Sequence, residues 1–230
     1  QKDSSWGDYK VTTLTAYNGQ KNLLNGLIHS DNIYFAQAAL KIGTSNFTSN
    51  LEKIGFNESL DFPITLAKSK YSNSNTIESE GQLADSGFGQ GNILVNPIHM
   101  ASIYSSFAND GNMIKPYIEY KEDAKSEILK ENVFTKDAAN TIKEDLIQVV
   151  ENPQGTANDM KVSGVTIAGK TGTAELKQNK DDKDSGTLGW FNCFTTNKDS
   201  NLLIIGMVEN TQNNSNGGSH YLIKKIKTLF

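Results

Sequence analysis

Ala168-Gly169-Lys170-Thr171-Gly172-Thr173-Ala174-Glu175 is the stretch on which the reading of this chain turns. It sets an ammonium, two hydroxyls and a side-chain-free backbone within four residues. Val165 to Ala174 reads as a strand, and alternate strand residues face opposite sides. Lys170 and Thr171 can therefore serve one ligand only from a sheet edge. There Lys170 reaches beneath the ligand while Thr171 and Thr173 flank it. Gly172 lets a ligand approach the backbone. The Thr173 amide is placed to donate to an oxyanion, and one fixed donor of this kind is worth about 3 kcal/mol in acyl transfer. A solvated strand end is the plainer reading of the same residues.

Far upstream lies Ser30-Asp31-Asn32, between two helical patterns. Leu23, Leu24, Leu27 and Ile28 precede it, and Ile33, Phe35, Ala36, Ala39 and Leu40 follow, ended by Gly43. Asp31 or Ser30 can cap the second helix. Taken alone, the triplet reads as a plain cap, with His29 as a helix-end side chain. Taken with Lys170, it offers a hydroxyl to relay a proton and, at Asn32, an amide to hold a carbonyl. Asp31 reads as structural.

Around these motifs, β-branched content predicts a strand over residues 9–15, and Ser/Asn content predicts an exposed loop over 68–81. Helices are expected over 47–54, from Asn96-Pro97 to Ala108, and from a Thr135 cap to Asn152-Pro153. Gly87 to Gly91 is a glycine-rich turn. In the last third, Leu188–Thr195 and Leu202–Val208 read as strands with hairpin spacing, and Tyr221, Leu222, Ile226 and Leu229 as a closing helix. A charged turn covers 177–186 and a loop covers 213–218. Trp190 reads as a packing residue beside the lysine strand. The outline is α+β: residues 20–160 form a mostly helical lobe, and 161–230 supply an antiparallel sheet and its terminal helix, within one domain.

Bulk properties exclude several classes. The chain has 230 residues, 37% hydrophobic content and a formal charge of -4, without the dense basic patch that nucleic-acid binding needs. One cysteine and three scattered histidines leave no metal-ligand spacing, so neither metal nor cofactor is expected. No apolar run approaches the roughly 18 residues of a membrane helix.

Further stretches carry a family resemblance. Ser5-Trp6-Gly7, Ser30 to Ala36, Ala84-Asp85-Ser86-Gly87-Phe88-Gly89-Gln90-Gly91 with Asn96-Pro97, Lys170 to Lys177 and Gly189-Trp190-Phe191 are the matching residues. Over nearly its whole length the chain resembles the transpeptidase domain of class B penicillin-binding proteins. It is most similar to the low-affinity, β-lactam-tolerant type of Gram-positive bacteria. The resemblance implies a β-lactamase/transpeptidase-like fold, with the antiparallel sheet flanked by helices beside a helical lobe. It implies peptidoglycan D,D-transpeptidase activity through an acyl-serine. A serine attacks the D-Ala-D-Ala bond of a stem peptide, a lysine three residues on acts as base, and an amine of a second stem peptide accepts the acyl group. β-Lactams mimic the substrate and trap the serine. Ser30, Asn32 and Lys170 are the catalytic residues so implied, and Thr171, Gly172 and Thr173 bind substrate. Implied partners are stem peptides, β-lactams and the division or elongation machinery. The implied location is the outer face of the cell membrane, through an N-terminal anchor.

The family combines Ser-x-x-Lys, Ser-Asp-Asn and Lys-Thr-Gly. No serine of this chain has a lysine three places on. The expectation is a C-terminal portion of the domain, with the nucleophile in an upstream segment that completes the fold. The piece alone is expected neither to fold cooperatively nor to acylate. A β-lactamase or β-lactam sensor domain is one alternative, although none of Glu58, Glu78 and Glu80 stands out as a deacylating carboxylate. A non-catalytic scaffold is the other.

Overall fold

The computed structural model describes residues 6–13, 15–120, 122–175, 186–197, 202–211 and 217–230. The charged turn apart from Gly186 and most of the 213–218 loop lie outside these residues, as do Ser5, Leu176 and Lys177 of the matching stretches. The chain divides into two compact units, Gln1–His99 and Met100–Phe230.

The first unit is helical. Asn22 starts α1 (Leu23–Ile28) by accepting from the Asn25 amide. Asp31 caps α2 (Asn32–Ile42), accepting from the Ile33 and Tyr34 amides at 3.0 and 3.3 Å. That cap satisfies donors which a helix leaves open at its start. Gly43, at φ 77°, ends α2 and leads directly into α3 (Thr44–Lys53). Ser79 caps α4 (Glu80–Ser86), which packs on α2. A β-carbon on Gly87 would stand 2.6 Å from the Phe35 carbonyl oxygen, so this close approach needs glycine.

Two expectations are corrected here. The strand expected over residues 9–15 does not form among the described residues. Its β-branched side chains favour extended backbone, but a strand also needs a ladder partner. Instead the Thr12 carbonyl accepts from Asn32 Nδ2 at 3.1 Å, and the Tyr9 hydroxyl donates to Asp85. The loop expected to be exposed over 68–81 buries Ser69, Tyr71 and Ser72. Ser69 Oγ accepts from the Asn96 amide at 3.0 Å and lies 2.7 Å from His99 Nδ1. His99 Nε2 donates to the Ile54 carbonyl at 2.7 Å. Tyr71 donates to Glu52 at 2.7 Å. Hydroxyl-rich composition signals turn chemistry, but here the hydroxyls satisfy buried partners.

α5 (Pro97–Ala108) opens on its proline, as the sequence predicts. The second unit continues with a two-stranded antiparallel ladder, β1 (Met113–Ile114) with β2 (Ile128–Lys130). Thr135 then caps α6 (Lys136–Glu151) through the Ala138 amide. An antiparallel sheet follows in the order β3 (Ile167–Glu175), β4 (Thr187–Thr195), β5 (Leu203–Val208), and α7 (Gly217–Ile226) closes the unit. Helices cover both faces. Ala168 and Phe194, cross-strand partners, form a core with Leu146 of α6, against which Tyr104, Phe107 and Leu203 pack. On the other face a β-carbon at Gly206 would meet Ile226 and Leu222 of α7. The result is an α+β architecture, an antiparallel sheet with flanking helices.

Candidate active site

β3 is one edge of the three-stranded sheet among the described residues. The edge position that the sequence reading required for Lys170 and Thr171 is therefore present. Ladder register fixes the faces. Lys170 pairs with Asn192, and Gly172 pairs with Trp190, so these four share the face of Ala168 and Phe194. Thr171 pairs with Phe191 and Thr173 with Gly189 on the opposite face. Lys170 thus runs beneath the strand on the α5–α6 side, while the two threonines flank it on the other.

Burial dominates the chemistry of Lys170, lowering its pKa from the ordinary lysine value to about 8. Its Nζ donates to the Thr171 carbonyl at 2.9 Å. A lysine so placed titrates near neutrality, where it can both offer an ammonium to an anion and exchange a proton. Thr171 Oγ1 donates to Thr156 Oγ1 at 2.8 Å, which fixes the rotamer of the threonine hydroxyl. Gly172 leaves room that a side chain would not, since a β-carbon there would press on Trp190 Cβ at 3.2 Å. Trp190 lies beside the lysine strand, as its reading as a packing residue requires. Thr173 is exposed.

The first unit holds the other motif. Ser30 sits between the α1 cap, His29, and the α2 cap, Asp31, with φ at 52°. Left-handed backbone at a serine costs on the order of 1 kcal/mol and recurs where a side chain must be aimed. Its turn is closed by the Ser30 amide on the Leu27 carbonyl at 3.3 Å and the Asp31 amide on the Gly26 carbonyl at 2.9 Å. Asp31 is buried and structural, and it draws Lys21 to 3.9 Å. Tyr17 stacks on His29 at 4.0 Å between centroids, with Lys21 Nζ 3.2 Å from its ring centre. Burial first, then Asp31, push the Tyr17 phenol up to about 12. Asn32 opens α2, its amide tied to the Thr12 carbonyl.

Sequence reasoning missed Thr156, Tyr104 and Asn192 on the lysine side, and Tyr17 and Thr12 on the serine side. Each touches its motif through the fold rather than along the chain. The Ser30 conformation had a signal, because two helices separated by three residues demand a sharp reversal. A cavity of ≈ 640 Å³ in the first unit is lined by Trp6, Tyr9, Glu80, Gln82 and Asp85, among others.

The profile of the penicillin-binding protein transpeptidase domain matches residues 1–226. The chain belongs to this transpeptidase family. It is 43% identical, over its full length, to penicillin-binding protein 3 of Bacillus subtilis, covering 34% of that protein. It is 27% identical over 80% of its length to a probable peptidoglycan D,D-transpeptidase of Pseudomonas aeruginosa, covering 32% of that one. The chain thus spans about a third of the length of these curated relatives. Among solved structures it is similar to penicillin-binding protein A from M. tuberculosis in its ceftriaxone acyl-enzyme complex. There the TM-score is 0.75 at 19% identity, covering 90% of this chain and 48% of that one. The D,D-transpeptidase domain of a peptidoglycan glycosyltransferase from Eggerthella lenta gives a TM-score of 0.72 at 21% identity, covering 97% and 57%. The fold is accordingly the β-lactamase/transpeptidase-like one expected.

Proposed function

We propose that this transpeptidase domain takes part in peptidoglycan D,D-transpeptidation through an acyl-serine and is acylated by β-lactams. The observation that carries the reading is the lysine of lowered pKa on an edge strand, flanked by Thr171 and Thr173 across a glycine. In this reading Lys170 attracts the terminal carboxylate of a D-Ala-D-Ala stem peptide, and Thr171 and Thr173 hold its flank. The Thr173 amide supports the oxyanion. Ser30 relays a proton toward the leaving amine, and Asn32 holds a substrate carbonyl. The attacking serine and its lysine base belong to sequence preceding Gln1, since no Ser-x-x-Lys occurs in the 230 residues. D-Alanine leaves as the acyl bond to serine forms, and a stem-peptide amine then displaces the serine.

The low-affinity, β-lactam-tolerant type is the finer assignment, supported by the matching stretches named above. Anchoring at the outer face of the cell membrane and work with the division or elongation machinery belong to the same proposal. No helix among the described residues is long and apolar enough to cross a membrane.

The test uses the full-length protein with a fluorescent penicillin and a chromogenic cephalosporin. A stable adduct with slow hydrolysis is expected, and Lys170→Ala should slow acylation by about 100-fold, the scale of losing one preorganised electrostatic contact. Rapid cephalosporin turnover would favour the β-lactamase reading. Unchanged acylation by Lys170→Ala would contradict the role given to this lysine.

A further inference from the structure

Asn192 is an unusual residue for its place. It sits at the middle of the central strand β4, on the sheet face that Ala168, Phe194 and Leu203 make apolar. It is 5% exposed, and its Oδ1 has no hydrogen-bond partner. A buried acceptor left unpaired costs about 1–3 kcal/mol, which calls for a reason. An apolar residue would fit this face without that cost.

The register supplies the reason. Asn192 is the direct cross-strand partner of Lys170. Opposed residues on one face of an antiparallel pair hold their β-carbons about 5 Å apart, within reach of an amide and an ammonium. Tyr104 of α5 packs over the next pair on the same face, Ala168 and Phe194. A side-chain hydrogen bond from Asn192 works against the burial that raises the Tyr104 phenol to about 12. That contact orients the amide, with its nitrogen toward Tyr104 and its oxygen left over.

We propose that Asn192 is a positioning residue for Lys170. The ammonium donates to the Thr171 carbonyl in the free protein, and Asn192 Oδ1 is a further acceptor it takes up when substrate engages the strand edge. The amide then limits the arc through which the ammonium moves and holds it under the bound carboxylate. Tyr104 keeps the amide from rotating. The proposal rests on the reading that Lys170 acts on substrate.

Partly or fully buried titratable groups on the packed elements are His99 and Tyr104 from α5, Lys143, Asp145 and Glu151 from α6, and Cys193 from β4. None contributes a charge to the lysine's shift, which burial alone sets. A carboxylate at position 192 would place a negative charge on the residue paired with Lys170 and favour its ammonium form.

The experiment measures the second-order rate of acylation by a fluorescent penicillin in the full-length protein, across pH, together with melting temperature. The variants are Asn192→Leu, Asn192→Ala, Asn192→Asp and Lys170→Ala. Leu and Ala remove the acceptor and should each lower the rate about tenfold, the scale of a lost orienting contact. Asp keeps Oδ1 but loses the donor to Tyr104. It should retain the rate within about threefold and move the alkaline limb of the profile up by about one pH unit. Wild-type rates in both Leu and Ala variants would overturn the proposal. So would an Asp variant as slow as Leu with an unmoved alkaline limb, since that marks a structural role through Tyr104. A slow Lys170→Ala beside normal Asn192 variants sinks this inference alone, whereas a normal Lys170→Ala sinks the functional reading beneath it.

Discussion

Lys170 concentrates the conflict between stability and chemistry in one side chain. Its pKa lies at about 8 through burial, below the unfolded value of 10.5. Below pH 8 the lysine is charged in both states, and the fold bears the full cost of holding the charge. Between 8 and 10.5 the unfolded chain binds the extra proton, so stability from this group rises with pH. Lys170→Met should therefore raise the melting temperature at pH 7 while losing acylation, with the advantage shrinking as pH climbs past 8. Thermal melts at pH 6, 7, 9 and 10 check the sign, and a variant less stable than wild type at pH 7 contradicts it. Asp31→Ala should cost about 1 kcal/mol through two lost cap bonds, read as a lower denaturation midpoint. The candidate residues at 30, 32 and 170–173 could be proposed from sequence because their chemistry is written in adjacent residues. Asn192, Thr156 and Tyr104 could not, since an Asn inside Trp190-Phe191-Asn192-Cys193-Phe194 announces nothing until register sets it opposite a lysine.

At the level of elements, close backbone approach decides where β4 and α7 meet. A β-carbon on Gly189 would stand 2.3 Å from the Gly218 backbone, and one on Gly218 would stand 2.5 Å from Gly189. No side chain rotates out of such a clash, so one element must move. Gly189→Ala should lower stability by about 2–4 kcal/mol, seen as a melting-temperature drop, because overpacking here displaces backbone. Gly164→Ala, with open space around its β-carbon but φ at 79°, should lose only about 1 kcal/mol. Equal losses would contradict the packing account. Caps and periodicity made α2, α5 and α6 readable, and apolar runs at hairpin spacing did so for β4 and β5. Residues 9–15 misled because β propensity is local while a ladder is not. The buried Ser69, Tyr71 and Ser72 misled because polar composition reads as exposure until partners such as His99 and Glu52 are in place.

For the whole molecule, the chain carries two of the three motifs that the transpeptidase family combines, one in each compact unit. Ser30, Asp31 and Asn32 belong to Gln1–His99, and Lys170 to Thr173 belong to Met100–Phe230. Neither set attacks a carbonyl by itself in this account. The α+β class was legible because strands cluster in the last third and helices before them. The most direct test of the central claim is peptide mapping of the full-length protein after labelling with a fluorescent penicillin. The account predicts one adduct, on a serine that precedes Gln1 and has a lysine three residues on. An adduct on Ser30 or on any other serine within residues 1–230 would contradict it.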